Sequence, residues 1–254
     1  AAVHFGEWAE APAMKHWAAI FQQFDRVVAP SRHIAQRLGE AGVEKVSVQM
    51  LGVDTDLFHP SRADGERLKR RLGLPADARL LVFAGRPARE KNIESLICAV
   101  ERLGAPYYLL LVGAAKDAHY SPRVIPMGYE RDPVKLAGII ASCDALVHAN
   151  ENEPFGLVVL EALAAGLPVV GPSRGGISEL IDERVGQRAA SVDPAGMAEA
   201  IEALFARDLE HVKRAARRRA EQRHRWDNTF EGLTRLYGEL VAQRSAAEIV
   251  PLRA

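Results

Sequence analysis

The stretch NENEPFGLVVLEALAAGLPVVG, residues 150–171, decides the fold of this chain. We expect an apolar helix that begins near Phe155 or Gly156 and runs to Ala165, because a proline and a glycine precede a long apolar run. A short buried strand is predicted directly afterwards, at residues 169–170. Strand-like residues also precede the stretch, so it predicts a strand–loop–helix–strand unit.

The same alternation continues on both sides of this unit. Strands are predicted at residues 80–84, 107–112, 124–126 and 145–148, and helices at 92–103, 132–142 and 195–205. The apolar run at 107–112 is unbroken, as expected of a strand that is covered on both faces. The sequence therefore predicts an α/β fold, with a Rossmann-like, doubly wound parallel sheet followed by carboxy-terminal helices.

Two changes in the pattern divide the chain into three predicted parts. Turn-forming residues from 52 to 60 link a short leading part, residues 1–52, to the main sheet at 53–208. The last part, 209–254, lacks strand-like segments and is predicted to form two helices and a tail. We expect the chain to begin inside a longer protein.

The composition is that of an ordinary globular protein, with 48% apolar and 26% charged residues. Because 33 basic residues balance 33 acidic ones, no overall field draws the protein to nucleic acid. No apolar run approaches the roughly 20 residues that cross a bilayer. Cys98 and Cys143 lie far apart in apolar stretches, so we expect free thiols in a reducing cytoplasm and no metal site.

The loop after the predicted strand 80–84 carries two cations. Ligands of an open parallel sheet bind at the carboxyl ends of its strands, where this loop lies. Arg86 offers a planar fork and Lys91 a point charge, which together suit a diphosphate. The alternative is a solvated loop in which Glu90 neutralises Lys91.

The predicted helix start in the opening stretch is a candidate anion site. The backbone N–H groups of Phe155, Gly156 and Leu157 have no helical acceptor there, and a glycine lets a phosphate approach. Glu161 lies among apolar neighbours, so its carboxylate should meet sugar hydroxyls or, alternatively, a buried arginine or a backbone amide. Glu153 precedes the helix, either beside a ligand or as a charge stabilised by the helix dipole.

Two pairs of residues at the ends of predicted strands are further candidates. His148 and Asn150 end the strand before the glutamate loop and are candidates to face a ligand, although a structural role is the alternative for the histidine. Gly175 and Gly176 open a short predicted helix. They favour close approach of the backbone to a ligand or, equally, a tight strand-to-helix turn.

Two other segments also allow two interpretations. Met127, Gly128 and Tyr129 follow a short predicted strand, where their backbone is placed to contact a base, but nothing local decides this. Residues 213–225 carry seven Lys and Arg side chains. They predict a solvated helix face, with contact to an anionic membrane surface as the alternative.

These segments together resemble glycosyltransferase family four, retaining enzymes of the GT-B fold. EPFGLVVLEALAAGLPVV, residues 153–170, resembles the donor-site segment of that family, marked by two glutamates with seven residues between them. Other segments agree in order: VVAPS at 27–31, GVDTDLF at 52–58, GR…EKN at 85–92, GGISEL at 175–180, and Trp226 with Tyr237 in the terminal helices. The resemblance covers residues 25–240.

The resemblance implies roles for the candidate residues. It implies that Arg86 and Lys91 hold the donor diphosphate, that Glu153 lies beside the donor sugar, and that these three residues form the catalytic group. It also implies that Glu161 binds the ribose hydroxyls. Backbone contacts to sugar and phosphate are implied for Phe155, Gly156 and Leu157, and a border to the base for Met127, Gly128 and Tyr129. The family needs no obligatory metal or other cofactor, because positive charge and helix N-termini stabilise the leaving diphosphate.

The resemblance also implies a function. We expect a retaining hexosyltransferase that moves a sugar from a nucleotide diphosphate sugar, of GDP-mannose or UDP-glucose type, to a lipid or saccharide acceptor. Residues 148–157, together with GVDT at 52–55, resemble the corresponding segments of mannosyltransferases, and this resemblance favours GDP-mannose over UDP-glucose. The alternatives are a non-catalytic nucleotide-sugar-binding subunit and a sugar-nucleotide epimerase.

One part of the family pattern has no counterpart. Residues 1–52 match only the last elements of the amino-terminal acceptor domain, and His4 and His16 do not fit the position of its catalytic-site histidine. We therefore expect the missing acceptor domain, or a partner chain that carries it, as a partner besides the nucleotide sugar. A cytoplasmic location is expected, with peripheral contact to the inner face of the membrane as the alternative for the basic segment.

Overall fold

The computed structural model describes residues 2–4, 17–116 and 119–248, with the side chains of 17–116 and 119–245. It forms two compact units. The smaller unit combines Ala1–Gly52 with Trp226–Ala254, and the larger unit is Val53–Arg225. The chain thus leaves the smaller unit once, after Gly52, and returns to it with its last helix.

The smaller unit contains a three-stranded parallel sheet. Its elements in the leading segment are β1 (Ala2–His4), β2 (Arg26–Ala29), α1 (Arg32–Glu40) and β3 (Val46–Val48), with the strands in the order β1-β2-β3. The Ser31 side chain caps α1 by accepting a hydrogen bond from the Ile34 N–H at 3.2 Å. Ile34 and Leu38 then face the core of this unit.

The larger unit contains a six-stranded parallel sheet, which confirms the predicted fold class. Its strands are β4 (Arg79–Ala84), β5 (Tyr107–Val112), β6 (Val124–Met127), β7 (Ala145–Val147), β8 (Val169–Pro172) and β9 (Gly186–Ala189). They are ordered β6-β5-β4-β7-β8-β9, so the chain winds outward from β4 in one direction and then from β7 in the other. The boundary between β4 and β7 is a topological switch point, where ligands of such sheets bind.

Seven helices and two 3-10 turns complete the larger unit within the described residues. They are the turns Pro60–Arg62 and Arg89–Lys91, and α2 (Gly65–Arg71), α3 (Ile93–Leu103), α4 (Pro133–Ala141), α5 (Leu157–Ala164), α6 (Gly175–Ser178), α7 (Pro194–Phe205) and α8 (Leu209–Arg223). Proline at the first position and an aspartate cap, Asp132 and Asp193, start α4 and α7. Residues of β4, β5, α3 and α7 share one apolar core.

The last helix, α9 (Trp226–Glu248), belongs to the smaller unit. Its Thr229 side chain donates a hydrogen bond to the Met50 carbonyl at 3.1 Å. The sequence grouped residues 209–254 as one terminal part, whereas the structure divides them, with α8 in the larger unit and α9 in the smaller one. No described helix is long and apolar enough to cross a membrane.

Candidate functional site

The loops after β4 and β7 meet at the switch point and carry most of the candidate residues. The strands pair through Leu81 with Ala145 and Val82 with Leu146, so the loops that follow them start side by side. The first loop ends in the 3-10 turn Arg89–Lys91, and the second leads into α5.

An ion pair joins these two loops. Lys91 Nζ lies 2.6 Å from Glu153 Oε2, and the two side chains are 12% and 13% exposed. Lys91 is set in place by Asn92, which adopts a left-handed backbone conformation with φ of 49° and donates its side-chain N–H to the Val192 carbonyl at 3.2 Å. A mostly buried cation and carboxylate therefore lie together at the carboxyl ends of two adjacent strands.

Asn150 organises the loop that holds Glu153. Its Nδ2 donates to Glu153 Oε2 at 3.0 Å, while its Oδ1 accepts from the Asn152 N–H at 2.9 Å. The same carboxylate oxygen therefore receives hydrogen bonds from an amide and an ammonium group. No described residue donates a hydrogen bond to Oε1 of Glu153, so this oxygen can accept from a further donor.

His148 lies beneath this carboxylate as a neutral ring. Burial lowers its pKa to about 4, the Lys91 charge adds to this effect, and Glu153 opposes it. Nδ1 accepts the Asn150 N–H at 3.2 Å, so the ring proton is assigned to Nε2, 3.6 Å from Glu153 Oε2. The ring also packs on Phe83, with 5.8 Å between centroids. His148 thus serves as a buried support of the loop.

The start of α5 is a glycine in a left-handed conformation. Gly156 has φ of 92° and no side-chain cap, and a Cβ there would lie 2.7 Å from Ile177 Cγ1. A side chain is excluded at this point, and the first N–H groups of the helix, including that of Leu157, receive no side-chain cap. Such an N-terminus attracts an anion.

Gly175 and Gly176 close the other side of this loop. A Cβ on Gly176 would lie 2.0 Å from the Pro154 carbonyl oxygen, and its N–H donates to the Glu153 carbonyl at 2.8 Å. Gly175 has φ of 74°, and a Cβ on it would lie 2.3 Å from the Glu151 carbonyl oxygen. The glycine pair therefore has a structural function, since it lets the loop before α5 pack on α6.

Glu161 lies one helical turn after Leu157, on the same face of α5. Its neighbours in sequence, Leu160 and Ala162, are fully buried, whereas Leu157 is 45% exposed. Burial raises the pKa of the Glu161 carboxyl to about 7. No described residue donates a hydrogen bond to this carboxylate or forms an ion pair with it, so neither the arginine nor the backbone amide that the sequence offered as alternatives is found.

Arg86 lies apart from the buried ion pair. Its guanidinium donates to Glu90 Oε1 at 2.7 Å, and its side chain is 66% exposed. The alternative in which Glu90 neutralises Lys91 is wrong, because Glu90 pairs with Arg86 and Lys91 pairs with Glu153. An exposed pair of this kind is worth little to stability, so Arg86 can exchange its partner readily.

Met127, Gly128 and Tyr129 are the other predicted group. Met127 is the last residue of β6 rather than part of the following loop, and its carbonyl accepts the Gly113 N–H at 2.9 Å. A Cβ on Gly128 would approach the Lys116 side chain at 2.9 Å, and Tyr129 is 76% exposed. Among the described residues, no hydrogen bond or ion pair connects this group with the Lys91–Glu153 pair.

Asp54 and Asp56 have the Asp-x-Asp spacing of many metal sites, but the Asp54 side chain already accepts hydrogen bonds within a turn. Its Oδ1 accepts the N–H groups of Asp56 at 3.0 Å and of Leu57 at 2.8 Å, which is the geometry of a capped turn. In the part of the chain that the structure describes, no three His, Cys, Asp or Glu side chains gather as a metal ion requires.

The contact between Lys91 and Glu153 is the feature that sequence reasoning missed. Each residue was a candidate on its own, for a diphosphate and for a sugar. The signal was available in their opposite charges and in their positions after strands that a doubly wound sheet brings together.

Comparison with known proteins bears directly on this site. Residues 64–225, which include every candidate donor-site residue, match the family described as glycosyl transferases group 1. The chain belongs to this family. The resemblance to glycosyltransferase family four is therefore confirmed, and so is the prediction that the chain belongs to a family of enzymes.

Two curated relatives of the chain are named as glycosyltransferases. A D-inositol 3-phosphate glycosyltransferase of Xylanimonas cellulosilytica is 32% identical over 244 residues, which cover 87% of this chain and 58% of the relative. A GDP-mannose-dependent alpha-mannosyltransferase of Mycobacterium tuberculosis is 38% identical over 160 residues, covering 62% of this chain and 41% of the relative. The chain thus spans about half the length of the curated relatives it matches.

A solved structure shows the same fold. The crystal structure of Anabaena HepE in complex with UDP and glucose matches 93% of this chain and 71% of that one, with a TM-score of 0.80 and 22% identity. The predicted fold, that of the donor half of a GT-B enzyme, is therefore confirmed.

Proposed function

We propose that this chain supplies the donor site of a retaining glycosyltransferase, which moves a hexose from a nucleotide diphosphate sugar to a lipid or saccharide acceptor. The observation that carries the proposal is the mostly buried Lys91–Glu153 pair at the switch point, beside the uncapped N-terminus of α5. One positive group, one negative group and a row of free N–H groups match a ligand with a diphosphate and a hydroxylated sugar.

The diphosphate is bound by Lys91, Arg86 and the N–H groups of Phe155, Gly156 and Leu157. Lys91 supplies a point charge from the floor of the site, and Arg86 reaches in from its exposed pair with Glu90. As the bond to the sugar breaks, charge develops on the leaving diphosphate, and these groups stabilise it without reorganisation. The proposal includes no obligatory metal, and we expect EDTA to leave donor binding by this chain unchanged.

The sugar and ribose hydroxyls are bound by the two glutamates. When Lys91 contacts the diphosphate, Glu153 keeps its hydrogen bond from Asn150 and accepts from the donor sugar. Glu161 has no partner among the described residues and lies on a helix face that reaches the surface at Leu157, so ribose hydroxyls supply the missing donors. No side-chain nucleophile is proposed, because the leaving phosphate guides front-face attack on the sugar.

The base borders Met127, Gly128 and Tyr129, and GDP-mannose is the proposed donor. A relative that is 38% identical is named as GDP-mannose-dependent, whereas the HepE structure holds UDP and glucose, so UDP-glucose is the competing donor. A thermal-shift panel of GDP-mannose, UDP-glucose and an ADP-sugar ranks them, since stabilisation follows RT ln(1 + [L]/Kd). The proposal predicts the largest shift with GDP-mannose, and the absence of a shift with all three contradicts it.

The acceptor site is proposed to come from further protein, either an amino-terminal acceptor domain or a partner chain. The support is that this chain spans about half the length of its relatives. The same observation favours a second candidate function, a nucleotide-sugar-binding subunit without its own transfer activity. Transfer to a saccharide or lipid acceptor by these 254 residues alone, at the rate of a two-domain relative, would contradict both statements.

The proposed location of the protein is the cytoplasm.

A further inference from the structure

A cavity lies at the end of the larger sheet opposite the candidate donor loops. Its volume is about 410 Å³, within the range of small-molecule pockets. Cys143 and Leu167, which line it, each lie two residues before the start of a strand, β7 and β8 respectively, so the cavity lies at the amino ends of these strands. The candidate donor loops follow the carboxyl ends of strands, and α5 runs from one site to the other. The two sites are therefore separate.

The floor of this cavity is apolar. Ala141, Ala165 and Leu167 contribute aliphatic surface, and the last two are buried. The Cys143 thiol donates to the Ile139 carbonyl at 3.2 Å, and burial raises its pKa, so it remains neutral and behaves as a small apolar group. A ligand that fills this floor gains from contact with apolar atoms.

The rim of the cavity is cationic and is formed by α8. Four cations and one carboxylate line it, and two of the cations have partners. Lys213 pairs with Glu210 at 3.0 Å. Arg217 Nη1 donates to three backbone carbonyls at 2.7 to 2.9 Å, among them that of Ala164 at the end of α5. These two side chains are explained by the fold.

Arg214 and Arg218 are not explained in this way. They lie four residues apart, on one face of α8, and both line the cavity. Both side chains are exposed, and neither forms a hydrogen bond or an ion pair with any described residue. Two free guanidinium forks one helical turn apart thus border an apolar floor.

We propose that this cavity binds an organic phosphate monoester, with the phosphate on Arg214 and Arg218 and a small apolar body on the floor. A phosphate dianion matches two cations in charge, and each guanidinium can donate two parallel hydrogen bonds to it. The apolar lining distinguishes such an ester from inorganic phosphate, which has nothing to place on the floor. The proposal is independent of the proposed function, because no residue of the donor site contributes to it.

Phenyl phosphate is the probe, titrated calorimetrically into the full chain with inorganic phosphate as the reference. The Arg86→Gln/Lys91→Met/Glu153→Gln variant removes both donor-site cations, so that phosphate binding elsewhere is measured without them. We expect phenyl phosphate to bind this variant and the wild type alike, at least tenfold more tightly than inorganic phosphate. Adding Arg214→Gln and Arg218→Gln should raise its Kd at least tenfold.

Two further variants make the test specific. Arg188→Gln/Arg223→Gln removes the same charge from exposed sites of the same unit outside the cavity, and we expect its Kd to stay within twofold of the wild type. Ala63→Phe places a ring at the exposed rim of the cavity and should weaken phenyl phosphate at least fivefold without altering a charge. Its thermal midpoint and that of the arginine variants verify that each is folded.

Several results would overturn the proposal. Equal affinity for phenyl phosphate and inorganic phosphate would show a charge effect without an apolar subsite. An equal loss in the Arg188→Gln/Arg223→Gln control would show nonspecific attraction. Binding to phosphatidylglycerol vesicles that depends on Arg214 and Arg218, without binding of phenyl phosphate, would assign these residues to a membrane surface instead.

Discussion

Lys91 Nζ lies 2.6 Å from Glu153 Oε2, although 61 residues separate them in the chain, and both side chains are nearly nine-tenths buried. Each charge has lost much of its hydration, and each is compensated by the other. Removal of one partner leaves the other buried and unpaired, which costs more than the pair itself contributes. The pair is therefore tested best by comparing single and double variants.

Lys91→Met is expected to lower the free energy of unfolding by about 3 kcal/mol, because it leaves the Glu153 carboxylate buried without its cation. Lys91→Met/Glu153→Gln should recover most of this loss. Urea denaturation at pH 7 measures both changes. Lys135→Met is the control, since Lys135 is 70% exposed and lies 3.8 Å from Asp132, and an exposed pair contributes less than about 1 kcal/mol. A single variant as stable as the wild type would contradict the proposed role of the pair.

Glu161→Gln is expected to stabilise the fold near and above pH 7. Burial raises the pKa of this carboxyl from 4.5 to about 7, so the folded state binds the proton more tightly than the unfolded state. The wild type therefore loses stability relative to the variant as the pH rises from 4.5 to 7. The difference should reach at most about 3 kcal/mol, at about 1.36 kcal/mol per pKa unit. Urea titrations from pH 4.5 to 8 measure it, and a constant difference would contradict the assignment.

The same residue predicts the pH dependence of donor binding. If ribose hydroxyls donate to an ionised Glu161, affinity should rise about tenfold between pH 6 and 8, because the ionised fraction rises through the pKa near 7. Glu161→Gln should remove this dependence. A nucleotide sugar is the suitable ligand, since it lacks the terminal phosphate that itself titrates near pH 6. Calorimetry at three pH values compares the two proteins.

Gly156→Ala is expected to destabilise the larger unit by about 2 kcal/mol and to weaken donor binding. The φ of 92° strains any L side chain, and the added Cβ would meet Ile177 at 2.7 Å. Gly138→Ala in α4 is the matched control: the nearest atom is 3.9 Å from the added Cβ, and the change should stabilise the helix by about 0.5 to 1 kcal/mol. Thermal denaturation measures both, and equal effects would contradict the account of the α5 start.

Arg217→Lys should cost about 3 kcal/mol, although it keeps the charge. The guanidinium donates to the carbonyls of Thr55, Phe58 and Ala164 and pairs with Glu221, and an ammonium group cannot reach all four acceptors. Arg218→Lys, at the next position, should change the free energy of unfolding by less than 0.5 kcal/mol by the usual scale for surface substitutions. Equal stability of the two variants would show that these hydrogen bonds contribute nothing.

The sequence predicts this fold where burial is continuous. The apolar run of β5 and the aspartate–proline starts of α4 and α7 identify their elements directly. The strand β9 was not predicted, because Gly186–Ala189 is buried only at its two ends and so lacks an apolar run. Its identity depends on pairing with β8, which is a long-range contact.

In the candidate site, too, the local sequence predicts some features, while others depend on long-range contacts. That Lys91 and Glu153 lie in ligand-facing loops follows from local pattern, but their contact depends on the strand order, in which β4 and β7 are neighbours. The alternative that paired Glu90 with Lys91 is wrong for the same reason. Arg86 and Lys91 both lie within four residues of Glu90, so the local sequence does not decide which of them pairs with it. Lys91 pairs with Glu153 in the loop after β7, and Arg86 is the cation that pairs with Glu90.

The affinity of nucleotide sugars for Glu161→Gln tests the central claim most directly, because this variant is expected to be more stable than the wild type. We predict that at pH 8 the wild type binds GDP-mannose or UDP-glucose, that Glu161→Gln binds it at least tenfold more weakly, and that Glu202→Gln, an exposed control on α7, binds within twofold of the wild type. Binding by Glu161→Gln as tight as that of the wild type, or no binding by the wild type, would contradict the account.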